Sequence, residues 1–219
     1  IDRMRHSATR SLLERDDEIG LVYSDTIWFN ERGKEKRQFE FTKPYRGDVF
    51  SELLLSNFIS TETVVIRREA FGSMGEPFDG RLVMSGDYDA YLGISYKWKV
   101  DYVDKPLARY RVHKNSKSQT DGRKLIAIEI DLMIKNLMEV VSEFKKNYPD
   151  EIRLLKRRRD VQLSLLDWKN REENRARKRL RAHMSDGVVY LVLYLLMYLP
   201  YRYVYNNCHR IYTKAIVAE

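Results

Sequence analysis

Met84-Ser-Gly-Asp-Tyr-Asp-Ala-Tyr-Leu92 decides how this chain is read. Ser85 is a natural N-cap, and the apolar spacing that follows predicts a helix to about Tyr96. Asp87 and Asp89 fall in its first turn, where the helix dipole favours carboxylates. Just beyond, Lys99 to Val103 and Leu107 to Val112 read as strands split by Pro106. A helix set among strands points to an α/β fold. The last strand runs Pro106-Leu-Ala-Arg-Tyr-Arg-Val-His113, so cationic groups able to hold a phosphate follow a carboxylate able to take a proton. Transfer from an activated, phosphate-bearing donor requires that combination.

Upstream, Ile19-Gly-Leu-Val-Tyr-Ser-Asp-Thr-Ile-Trp-Phe29 is rich in β-branched and aromatic residues and predicts a strand. Asn30-Glu-Arg-Gly33 predicts a tight turn, with Gly33 supplying a positive φ, and Lys36 to Thr42 a return strand. Asp48 is expected to cap a short helix through Leu55; Ile59 to Ile66 reads as a strand and Arg67 to Met74 as a helical turn. After residue 114 the character changes. Apolar residues recur at helical spacing from Arg123 to Tyr148, Pro149 breaks the run, and a second helix is expected from Asp150 to about Arg181. The reading therefore places an α/β region over 1–114, a basic helical region over 115–185 and an apolar, tyrosine-rich segment over 186–219.

The 219 residues suffice for one medium domain and an appendage, and the composition is globular. A single cysteine, Cys208, excludes an internal disulfide framework and a multi-cysteine metal site, and fits a reducing compartment. The opening Ile1-Asp-Arg-Met-Arg-His6 has no apolar core of a signal peptide and no initiating Met, and reads as the start of a C-terminal portion. The net charge of +8 is uneven: Glu151 to Arg181 holds twelve Lys or Arg against five Asp or Glu.

Gly187 to Pro200 is uncharged and almost wholly apolar, but its fourteen residues fall short of the ~20 that span a bilayer. Tyrosines and arginines alternate after it, from Tyr201 to Tyr212. Two readings are open: a segment lying in a membrane interface, which explains the Tyr/Arg pattern better, and a buried core helix. The basic helices likewise admit an anionic membrane surface, a solvated face or nucleic acid. Aromatic interleaving is absent from Lys156-Arg-Arg-Arg159 and from Arg175 to Arg181, which disfavours nucleic acid.

Five pieces in order resemble the second half of the catalytic domain of inverting family 2 glycosyltransferases of the GT-A type. They are Ile19 to Asp25, Ser60 to Phe71, Gly75 to Asp79, Ser85 to Leu92 and Pro106 to Ser118, spread over roughly the first half of the chain. The resemblance implies a partial GT-A, Rossmann-like domain moving a sugar from a nucleotide-diphospho-sugar to an acceptor hydroxyl. Asp87 would be the catalytic base and Asp89 structural. Arg111 and His113 would meet the donor diphosphate, and His113 would complete the shell of a Mg²⁺ or Mn²⁺ ion. Asn57, Ser60 and Thr61 would shape the acceptor cleft; Ser116 and Ser118 would face the donor or cap the next helix. The family's N-terminal βαβ unit and Asp-x-Asp metal motif are not found before Ile19, and Ile1 to Asp17 resembles the helix that follows that motif. Gly80, Gly86 and Gly93 stand where the family commonly carries charge. Beside the apolar tail, the resemblance implies a lipid-linked or envelope glycan acceptor and a peripheral position at the cytoplasmic face of a membrane. A different class of reading is a catalytically incomplete, transferase-like scaffold that binds a membrane surface or a partner.

Overall fold

A computed structural model describes residues 2–73, 78–113, 122–201 and 204. Ser116, Ser118, Cys208 and most of the Tyr/Arg tail lie outside the described residues. The chain divides into two compact units, 1–153 and 154–219. The strands end at Val112, and the helix after them packs back onto the first unit.

The first unit opens with α1 (Asp2–Arg15), which packs against β1 (Ile19–Asn30), the central strand of a mixed sheet. β2 (Glu35–Arg37) and β3 (Val65–Ile66) are antiparallel to β1, whereas β4 (Lys99–Val112) runs parallel to it along nearly its whole length. Leu21 and Val22 pair with both β3 and β4, and Ile27 to Phe29 with both β2 and β4. β4 therefore takes one edge of β1, while β2 and β3 share the other end to end. Gly20 permits the close approach of Trp98, since a Cβ there would sit 2.5 Å from that of Trp98. The turn after β1 forms as expected, with Gly33 at φ 71°.

On the shared edge, side chains bridge the gap between β2 and β3. The Ser24 N–H donates to Thr63 Oγ1 (3.1 Å), and the Thr26 N–H to Asp25 Oδ1 (2.8 Å). Asp25 is fully buried and also accepts from Arg37 Nε (2.5 Å) and the Phe39 N–H (3.0 Å). These bonds explain two departures from the sequence reading. The return strand stops at Arg37 and curls into a 3₁₀ turn, Gln38–Glu40, because Asp25 draws in Phe39 and the buried Gln38 amide donates to the Phe58 carbonyl (3.0 Å). Ile59 to Val64 is likewise not a strand: Thr61–Thr63 is a 3₁₀ turn in which the Thr63 hydroxyl donates back to the Ser60 carbonyl (2.8 Å). Pro106 does not divide β4 but sits in a register shift opposite Asp25, where a missing N–H is tolerated.

Short helices α2 (Phe50–Leu55), α3 (Arg68–Gly72) and α4 (Gly86–Lys97) lie between β2 and β4 in the chain. Asp48 does not cap α2, whose N-cap position is Val49. Leu53, Leu54, Phe58, Leu92 and Ile94 join Leu21 to Tyr23 in the core. The helical run expected from Arg123 to Tyr148 is two helices: α5 (Gly122–Val140) packs on α4, and α6 (Phe144–Asn147) follows a break where Glu143 takes φ 51°.

α7 (Pro149–Lys169) begins with proline at its first helical position, where a missing N–H costs nothing, and continues into the second unit. There α8 (Glu173–Arg181), a 3₁₀ turn (Met184–Asp186) and α9 (Val188–Leu196) follow. The expected single helix through Arg181 is interrupted at Arg171, which takes φ 64° while the Glu172 N–H reaches the Asp167 carbonyl (2.8 Å). Trp168, Leu180, Tyr190, Leu193 and Met197 form this unit's own core. His183 lies between Asp160 (2.9 Å) and Asp186 (3.1 Å).

Candidate active site

The N-terminus of α4 is held from across the unit. Ser85 occupies the N-cap position but makes no side-chain cap bond, and its buried Oγ has no hydrogen-bond partner. The buried Glu129 carboxylate of α5 instead holds the segment leading into the helix, accepting the N–H groups of Val83 and Ser85 at 2.8 Å each and that of Met84 at 3.2 Å. One acidic side chain thus satisfies three successive donors of the chain entering the helix, ending at its N-cap, where a negative charge also suits the helix dipole.

Asp87 projects from this first turn. Its Oδ1 accepts the Tyr88 N–H (2.7 Å), and its Oδ2 accepts the Thr61 hydroxyl. The structure thereby joins two residues singled out separately in the sequence. The Tyr91 hydroxyl, which also engages Thr61, is pushed up to about 12, chiefly by burial and further by the Asp87 charge. A cleft of about 350 Å³ opens beside them, lined by Asp79, Gly80, Leu82, Val83, Gly86 and Asp87 among others. A Cβ on Gly86 would touch only the Leu82 Cβ, at 3.9 Å, and one on Gly80 would meet nothing within 4 Å. Packing does not demand glycine at either position.

Asp89, one helical step on, is drawn into a network from α5. Asn136 Nδ2 donates to Asp89 Oδ2 (3.1 Å) and to Asp79 Oδ2 (3.0 Å), while Arg81 grips Asp79 through Nε (2.8 Å) and Nη2 (2.7 Å). The Arg81 guanidinium and N–H hold the Asp79 carboxyl well below the usual carboxylate range. Burial pushes Asp89 the other way, to about 6, and its Oδ1 is buried without a hydrogen-bond partner. Two acids bridged by one amide, Asp79 on the cleft wall and Asp89 buried under α5, therefore have opposite shifts in proton affinity.

The remaining candidates stand apart. Arg111 lies on β4 opposite Phe29, with its guanidinium 3.8 Å from Glu31 in the hairpin turn. Thr63, at the Asp87 end, meets Ser24; five strand residues, roughly 16 Å, separate these levels of β1. Among the described residues no hydrogen bond or ion pair joins Arg111 to Asp87, and His113 follows just beyond the end of β4. Ser60 is buried and donates its hydroxyl to Gln38, and Asn57 Oδ1 accepts the Ile59 N–H (3.1 Å), so both serve the loop itself. Among the described residues no three His, Cys, Asp or Glu gather as a ligand set.

Sequence reasoning passed over Glu129, Asn136 and the titration of Asp89. Glu129 and Asn136 lie seven residues apart on α5, two helical turns on the same face, and a pair of polar residues on an otherwise apolar stripe was the available signal. No family model, curated protein or solved structure matches this chain.

Proposed function

We propose that this chain carries the acceptor side of an inverting glycosyltransferase of the GT-A type, with Asp87 as base. The carrying observation is the contact of Asp87 with Thr61 at the lip of an open cleft. An acceptor hydroxyl in that cleft hands its proton to the Asp87 carboxylate as its oxygen bonds to the anomeric carbon. The bond from that carbon to the donor diphosphate breaks, the configuration inverts and a nucleoside diphosphate leaves. The Thr61 hydroxyl and Tyr88 N–H fix the carboxylate while leaving lone pairs on both oxygens. Arg111, carried by β4, supplies a planar cation for the diphosphate. The exposed apolar residues of α9 support an acceptor held at a membrane, a lipid-linked or envelope glycan, met at the cytoplasmic face. Among the described residues no helix is long and apolar enough to cross a membrane.

The test offers the protein a panel of nucleotide-diphospho-sugars with Mg²⁺ or Mn²⁺ and measures nucleoside diphosphate release. Asp87→Asn is expected to lower turnover by about 10²–10⁴-fold with an unchanged melting temperature. Undiminished turnover in that variant removes Asp87 as base. Failure of the parent protein to turn over any donor favours a transferase-like scaffold.

A further inference from the structure

α9 divides its residues between two environments. Tyr190, Leu193 and Met197 point into the core of the second unit. Val188, Leu191, Val192, Leu195 and, in the following turn, Leu199 form a stripe on the opposite side, with Val188 76% and Leu195 56% exposed. The sequence left open whether this segment is core or interface; the structure buries one face of it and leaves the other exposed.

The edge of the stripe carries aromatic rings and cations. Tyr194 and Tyr198 touch through their hydroxyls (3.1 Å), and the Arg177 guanidinium lies 4.5 Å over the Tyr198 ring while donating to the Met197 carbonyl (3.0 Å). Arg177 and Arg181, one turn apart on α8, both act on the Tyr194 phenol. The cations of α8 are sorted. Arg175 and Arg179 are met by Asp167, whereas Arg177, Lys178 and Arg181 have no carboxylate partner among the described residues.

We propose that the second unit docks on an anionic lipid surface, with the exposed stripe of α9 entering the acyl boundary and Arg177, Lys178 and Arg181 meeting the headgroups. An apolar face rimmed by tyrosines and long cationic side chains matches the depth profile of a bilayer interface, where rings sit at headgroup level and guanidinium stems reach outward. The nine residues of α9 extend about 13 Å, enough to lie in one leaflet and too little to cross it. A second copy fits less well, because pairing this face with itself would press the same cations together. Docking on lipid requires nothing of the transferase reading.

The experiment is flotation of the whole chain with vesicles of phosphatidylcholine alone or with about a third phosphatidylglycerol. The expected result is binding to the anionic vesicles, weakening as salt is raised. Val188→Asp with Leu195→Asp should abolish it, and Lys178→Ala with Arg181→Ala should weaken it about fivefold per cation at low salt. The proposal is overturned by no flotation on anionic vesicles, by equal flotation on neutral ones, or by undiminished binding of the apolar variant. It is also overturned if the parent chain is a dimer in solution that the apolar variant makes monomeric. Should circular dichroism show that variant to be unfolded, the lysine-arginine pair alone decides: unchanged binding on removing both cations overturns the proposal.

Discussion

Asp87 and Asp89 stand two residues apart on α4 and meet opposite surroundings, one at an open cleft and one under α5. The raised value of Asp89 means that the folded chain binds its proton more tightly than the unfolded chain does. Its carboxyl therefore costs little stability below about pH 4. The cost grows as pH rises through the window to about 6 and is full above it, on the order of 3 kcal/mol at most. Asp89→Asn keeps an acceptor for Asn136 and is expected to raise the melting temperature at pH 8, with the gain vanishing toward pH 4. Melting curves of both proteins across that range check the sign, and a gain independent of pH would refute it. At this scale the sequence exposes which residues are acidic and where the helix starts. The proton affinity of Asp89 comes from burial, reinforced by the Asp79 charge and opposed by the Asn136 amide, and none of these leaves a mark among its chain neighbours.

Among the elements, α5 positions the cleft without lining it, since Glu129 holds the backbone of residues 83–85 directly before Asp87. Glu129→Gln replaces one acceptor oxygen by an amide that faces N–H donors. It is expected to cost about 2–3 kcal/mol in urea unfolding, and to lower any turnover without altering the chemistry of Asp87 itself. The long elements were legible: β1, α4 and α5 follow from period and composition. The short ones were not, for identifiable reasons. Threonine-rich Thr61 to Val64 favours a strand by propensity, yet Thr63 serves Ser24 and Ser60 through its hydroxyl instead. Arg171 ends α7 in a left-handed conformation usually marked by glycine or asparagine, so no composition signal announced the break. Pro106 looked like a terminator, but it faces an irregular register where no N–H is required.

For the whole molecule, two cores imply two responses to damage. Trp168 is fully buried in the second unit and its indole donates to the Leu199 carbonyl (3.0 Å). Trp168→Ala should cost about 3–5 kcal/mol. Hydrogen exchange is expected to accelerate across α8 and α9 while β1 and β4 stay protected, and equal acceleration throughout would show a single cooperative body. A last consequence concerns synthesis on the ribosome. The strand that occupies one whole edge of β1 begins roughly 70 residues after β1 ends. At about 5–20 residues per second, translation leaves that edge bare for roughly 4–14 s. Throughout that interval the nascent chain displays Leu21, Val22 and Tyr23 on a strand that any other extended chain could pair with. The moment of greatest risk for this protein therefore comes before α4, and the aspartate it carries, has been made.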